Sequence, residues 1–189
     1  TGEDKTFTAT EDFSADGRLE LRHAIIEPEL TDAFRLIHGT SDGWPGFYAD
    51  RLGDFLLAHS ENPLNEGQRG ELKQLMEVFG ARGDYHKILK HKIGAQSVSE
   101  ATPQPVFGEI APERFFIREN GLQFELSFNE GYSTGLFLDQ RDNRRRLLNG
   151  HVAAEFPLFP SPHAPHPAPE VLNTFAYTCG FSVAVAKAG

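Results

Sequence analysis

The sequence predicts an α/β protein, and three stretches carry that reading. Residues 46–118 read as a hairpin, one amphipathic helix and further strands. Asn120-Gly121 joins two short segments as a second hairpin, because Asn-Gly supplies the two positive φ angles of a tight turn. Val171 to Ala176 reads as an apolar strand, followed by a small-residue turn and a helix from Phe181 to Lys187. Strand, turn and helix in that order open a nucleotide-binding α/β unit, although the full three-glycine fingerprint is missing.

Composition sets the outer limits. The chain has 189 residues, 39% of them hydrophobic and 24% charged, which is enough apolar content to bury a core. No apolar run approaches the roughly 20 residues of a bilayer span, so no membrane partner is expected. The net charge of −9 argues against a whole-surface nucleic-acid binder and gives no reason to expect DNA as a partner. One cysteine makes no internal disulfide, and a reducing, cytoplasmic setting is expected, with an organelle as the alternative. The chain starts at Thr1 without an initiator Met, so its natural start is expected to have been removed or to lie upstream.

In chain order, residues 1–30 are a polar lead-in in which Leu19 to Ile26 has the apolar content for one short element. Phe34, Leu36 and Ile37 form a second run, leading into the turn-rich Gly39 to Gly46. Phe47 to Asp50 and Asp54 to His59 flank Gly53 as a hairpin. From Glu66 to Phe79, Leu72, Leu75, Met76 and Phe79 recur at three and four, the stripe of a helix packed on a sheet. Tyr85 to Ile93 fits a strand or a short helix, and Ala95 to Pro105 is a loop. Val106 to Ile110 and Arg114 to Arg118 are short strands, and Leu122 to Phe128 alternates as a half-buried one.

Phe128 to Leu148 has two readings. Asp139 either caps an exposed helix, or the glycines at 131 and 135 bring a ligand close to a helix start. Arg141, Arg144, Arg145 and Arg146 form one basic patch, and His86, Lys87, Lys90, His91 and Lys92 another, each a solvated face or a contact surface. His151 to Glu170 is proline-rich and reads as a linker. His151, His163 and His166 fit no familiar ligand spacing, so no metal is expected.

Five ordered segments tie these pieces together: Arg35 to Gly46, Asp50 to Asp54, Glu119 to Gly121, Thr134 to Arg144, and Val171 to Ser182. Across roughly residues 30–189 the chain resembles the class I S-adenosylmethionine-dependent methyltransferases related to the bacterial large-subunit ribosomal-RNA cytosine-5 methyltransferase. The resemblance implies a central α/β domain of strand-strand-helix-strand-strand order at 31–113, a β-hairpin connector at 114–137, and the start of a Rossmann-like methyltransferase domain at 138–189, with a proline-rich insertion at 151–169. It implies S-adenosylmethionine as cofactor, ribosomal RNA as substrate, and a pocket shaped by Asp139, Gln140 and Arg141 on one side and Phe175, Tyr177, Thr178 and Gly180 on the other.

Departures from the family pattern are equally specific. No PUA domain is visible, and Cys179 stands where the family has glycine. The family's acidic ribose-binding residue and catalytic cysteine match nothing before Gly189, so no catalytic residue is assigned and the chain reads as cut inside a domain and inactive alone. Two other readings stay open. One is a non-catalytic binding or dimerisation module with Trp44, Phe47 and Tyr48 as anchors of a homodimer. The other is a methyltransferase acting on a protein or small molecule.

Overall fold

The computed structural model describes residues 15–89, 102–129, 134–153, 155–158, 170–174 and 176–188. Residues 1–14, residues 95–101 of the loop expected at Ala95 to Pro105, Lys90, His91, Lys92, Gly131, His163, His166 and Phe175 lie outside them. The polar lead-in proves to hold a helix, α1 (Ala15–His23). β1 (Ala33–His38), β2 (Phe47–Leu52) and β3 (Phe55–Ser60) follow as an antiparallel meander. Helix α2 (Glu66–Phe79) then crosses to β4 (Gly83–Ile88), parallel to β3, and β5 (Gln104–Gly108) closes the sheet antiparallel to β4. The sheet order is β1-β2-β3-β4-β5, so three strands precede the helix, one more than the expected order. β4 makes Tyr85 to Ile88 a strand; of the ambiguous Tyr85 to Ile93 segment, residues 90–93 lie outside the described residues.

Local chemistry accounts for the element ends. Asn65 accepts a hydrogen bond from the Gln68 amide while Gln68 Oε1 accepts from the Asn65 amide, a complete capping box at the start of α2. The predicted turn forms between β6 (Phe115–Glu119) and β7 (Leu122–Leu126), with φ of 52° at Asn120 and 74° at Gly121. These are the angles of a type I′ turn.

Period-two alternation divides the sheet's side chains between two cores. Phe34, Leu36, Phe47, Ala49, Leu56 and Ala58 pack with Leu72 and Leu75 of α2 and Leu19 of α1. Phe47 is fully buried and carries the half-buried Trp44 ring 5.6 Å away, so it is a core residue and not the exposed anchor one reading required. On the other face, Leu52, Phe55, Leu57 and Tyr85 meet Phe115, Ile117, Phe124 and Phe128 of the hairpin region. Phe55 lies 5.3 Å from the Phe115 ring and 6.3 Å from that of Phe128. Outside the hydrophobic contacts, Arg118 and Asn120 donate backbone amides to Asp32 Oδ1 and Thr31 Oγ1, fastening the hairpin to the residues that lead into β1.

The C-terminal part departs furthest from expectation. A 3₁₀ turn at Leu138–Gln140 precedes α3 (Arg141–Asn149), so Gln140, not Asp139, is the residue before the helix, and no side chain caps it. Asp139 instead accepts from Gln140 Nε2 at 3.0 Å. The expected linker holds a small antiparallel pair, β8 (His151–Ala153) and β9 (Phe156–Pro157). Val171 to Thr174 form no strand: Leu172 is 86% exposed, and no described strand lies alongside to complete a hydrogen-bond ladder. The turn at 177–178 and helix α4 (Gly180–Ala188) are where the sequence placed them. Among the described residues no helix is long and apolar enough to cross a membrane.

Candidate functional site

Strand β6 presents Phe115, Ile117 and Glu119 inward, because alternate side chains share a face. This puts a carboxylate into the core, where an unpaired charge is costly. Arg144 of α3 meets it: Nε donates to Glu119 Oε1 at 2.6 Å and Nη2 to Oε2 at 2.8 Å, with Arg144 2% exposed and Glu119 0%. The same Nη2 donates to the Phe137 carbonyl at 2.7 Å, and the guanidinium lies 5.6 Å from the Phe181 ring. One side chain thus binds the hairpin end, the loop before α3, and the first turn of α4. The expected role of Arg144 in a solvated basic patch is therefore wrong, because its fork is used up inside the protein.

The two motif segments are in direct contact. Thr178 Oγ1 donates to the Gly135 carbonyl. The Phe137 and Tyr177 rings stand 5.0 Å apart, tilted by 40°. Gly180 is buried, and a Cβ there would lie 3.2 Å from Leu136 Cδ1 and 3.6 Å from Arg144 Cδ, so even a methyl group would require the Leu136 side chain to give by a few tenths of an ångström. The turn closes with the Cys179 amide donating to the Ala176 carbonyl at 2.6 Å. Its angles are unusual: φ is 48° at Tyr177 and 62° at Cys179, both in the left-handed region that favours glycine. Cys179 is exposed and free. After it, the first amides of α4 have no partner within the helix, the arrangement that receives anionic groups.

Of the expected pocket residues, Tyr177 and Thr178 meet the loop before α3, at Phe137 and Gly135, while Asp139 and Gln140 follow Phe137 in that loop; neither cavity described below is lined by any of them. Gln140 Oε1 accepts from Asn143 Nδ2 at 2.9 Å, which orients its amide. Arg141 is turned elsewhere. Its carbonyl accepts from Asn120 Nδ2 at 3.2 Å, and its side chain lines a polar cleft of about 420 Å³ with Asn120, Asp142, Arg145 and Lys187. A second, more apolar cavity of about 430 Å³ lies between α3, α4 and residues 171–174, lined by Leu147, Val171, Leu172, Phe181 and Val185. Among the described residues no three metal-ligating side chains converge.

Sequence reasoning missed Glu119 and Phe137. For Glu119 a signal existed, since a charged residue at an inward position of an alternating strand demands a buried partner. Strongly shifted carboxyl and imidazole groups lie in the five-stranded sheet instead. Burial pushes Asp84 up to about 7, with neither oxygen hydrogen-bonded among the described residues. Burial also pushes His86 down to about 4, and its Nε2 contacts Ser60 Oγ at 2.7 Å.

Residues 34–189 match the family of S-adenosylmethionine-dependent methyltransferases, and the chain belongs to that family. It is 30% identical to a ribosomal RNA large subunit methyltransferase from Deinococcus radiodurans, over 92% of this chain and 40% of the relative. It is 31% identical to ribosomal RNA large subunit methyltransferase I of Escherichia coli K12, over 89% of this chain and 39% of that protein. The chain therefore spans about 40% of the length of these relatives. Among solved structures, an S-adenosylmethionine-dependent methyltransferase from Streptococcus mutans superimposes with a TM-score of 0.67 at 32% identity, over 92% of this chain and 40% of that one. A methyltransferase in complex with SAH gives 0.65 at 33% identity, over 92% and 39% respectively.

Proposed function

We propose that this chain contributes one wall of the S-adenosylmethionine pocket of a ribosomal-RNA methyltransferase, and that the transfer is to C5 of a cytosine. The observation that carries the reading is the contact between the two motif segments: Thr178 on Gly135, with Arg144 holding both Phe137 and the α4 turn. In it, Tyr177, Thr178 and Gly180 line the pocket with Asp139 and Gln140 opposite, and the free amides opening α4 receive the cofactor's carboxylate. The fit is in the donor set: open helix amides for an anion, and a turn whose buried glycine leaves no side chain between α4 and Leu136. The bound cofactor supplies the methyl group. RNA as substrate is supported by the ribosomal-RNA methyltransferases among the relatives.

Cytosine C5 chemistry requires a thiolate to add at C6 and a base drawn out of its stack. Cys179 is the chain's one thiol, and on this reading its turn serves the cofactor, so no residue of this chain is assigned as the nucleophile. Isothermal titration of the chain with SAH tests the pocket. Submillimolar binding that disappears in Gly180→Val is expected, and no heat at millimolar SAH would refute the assignment. Cytosine specificity is tested separately, by the complete gene product on unmodified large-subunit RNA, with the methylated position read by mass spectrometry; methyl transfer to any other base would overturn it.

A further inference from the structure

We propose that the polar cleft beside the Asn120-Gly121 turn is a binding site for a small phosphomonoester with an apolar body, its phosphoryl group held by Arg141, Arg145 and Lys187. The cleft is separate from the candidate cofactor turn, since none of Asp139, Gln140, Thr178 and Gly180 lines it. Its volume of about 420 Å³ falls in the range of small-molecule sites.

Three cations open onto this space with most of their donors unused. Arg141 and Arg145 stand one helical turn apart on α3, and Lys187 comes from the last turn of α4. The Arg141 side chain is 14% exposed, yet its one hydrogen bond among the described residues is to Asp142 Oδ1 at 3.3 Å. Arg145 lies 3.7 Å from the same oxygen, too far for a hydrogen bond, and Lys187 has no ion-pair partner among the described residues. Asp142 and Glu27 also line the cleft, so its five charges leave one positive charge in excess, within a chain of net charge −9. A lone basic cleft on an acidic molecule attracts a single anionic group, while the surrounding surface repels a long polyanion. Guanidinium forks and an ammonium suit phosphoryl oxygens, which accept several donors at once.

Beside these cations the lining is partly apolar. Ile25 and Leu30, from the segment before β1, are 66% and 43% exposed, and Leu148 of α3 joins them. Asn120 ties the segment before β1 to α3: its backbone amide donates to Thr31 Oγ1 and its side chain to the Arg141 carbonyl. Charge and exposed hydrocarbon in one preformed cleft select a ligand that carries both. Inorganic phosphate, or the backbone of a nucleic-acid strand, would use only the charge.

The test titrates the chain with phenyl phosphate, inorganic phosphate, phenol and a single-stranded oligonucleotide without a terminal phosphate, by calorimetry and by NMR. Phenyl phosphate is expected to bind in the low millimolar range or tighter, about threefold or more above inorganic phosphate, and to shift the Asn120 and Lys187 amide signals. Arg141→Gln and Lys187→Gln should each weaken it by about fivefold or more. Leu30→Ala should erase its advantage over inorganic phosphate, and Glu27→Gln should tighten both. A variant that melts far below native leaves the Glu27→Gln and Leu30→Ala comparisons to decide. The proposal is overturned by no heat from phenyl phosphate at about 10 mM, or by Arg141→Gln and Lys187→Gln both staying within about twofold of native. Equal binding of phenol, or displacement of phenyl phosphate by the oligonucleotide, overturns it as well. None of these measurements involves SAH, so they stand apart from the cofactor assignment.

Discussion

Replacing Glu119 with alanine should be the most damaging single change near the candidate site. The substitution removes two charge-assisted hydrogen bonds, at 2.6 and 2.8 Å, and leaves a guanidinium that is 2% exposed with the Phe137 carbonyl as its remaining acceptor. Two such bonds contribute about 1.5–3 kcal/mol each. Breaking a buried pair by deleting one partner costs about 3–5 kcal/mol, so the two counts agree. Against a typical total of about 5–15 kcal/mol this approaches global unfolding. Urea denaturation followed by circular dichroism measures it, with the double variant Glu119→Leu/Arg144→Met as control. The double variant buries no charge and should recover to within about 2 kcal/mol of native. It still lacks the donor to Phe137, so SAH affinity should stay reduced while stability returns. A cost below about 1 kcal/mol for Glu119→Ala would refute the reasoning, because the charge would then have found water.

Three further outcomes are expected. Gly180→Val forces a branched side chain against Leu136 and Arg144 and should cost about 1–3 kcal/mol, with SAH binding lost, as read by thermal melting and titration. Cys179→Gly relieves a φ of 62° and should stabilise by about 1 kcal/mol, or roughly 2–4 °C in melting temperature, with SAH affinity unchanged or tighter. Asp84, pushed up to about 7 by burial, holds its proton in the folded chain over a range where the unfolded chain releases it. Its contribution to stability is therefore present below the unfolded value of about 4 and lost as pH rises through about 7. His86, pushed down to about 4, acts oppositely, favouring the folded chain above about 6.5 and weakening it as pH falls toward 4. Asp84→Asn should flatten the loss of stability between about pH 4 and 7 and raise stability above that range; an unchanged pH profile would exclude the buried carboxyl as its source.

Signals confined to a few neighbouring residues were readable in the sequence. Asn65 with Gln68 and the stripe through Leu72 and Leu75 define α2 at Glu66–Phe79, and Asn120-Gly121 defines its hairpin, since capping and turn angles are settled locally. Val171 to Ala176 failed for the opposite reason: apolar content gives a strand only when a neighbour accepts its backbone bonds. The site divides the same way. Tyr177, Thr178 and Gly180 were found through a local motif, but the Glu119–Arg144 pair joins residues far apart in the chain, and nothing beside either names its partner. Asp139 as a cap failed because a 3₁₀ turn delayed the helix by one residue, which the charge pattern does not record.

The two cores also differ in what they depend on. The core beneath α1 and α2 is complete without the hairpin, whereas the other exists only while Phe115, Ile117, Phe124 and Phe128 are docked on Phe55 and Tyr85. Glu119 travels with that hairpin, and Arg144, Phe137 and the α4 turn are hung from Glu119. Undocking the hairpin is therefore a sub-global opening that dismantles the candidate pocket and leaves the five-stranded sheet standing. On warming, amide protons of residues 115–126 and 180–188 should exchange together and ahead of those in β2 and β3, so ligand recognition would fade while most of the secondary structure survives.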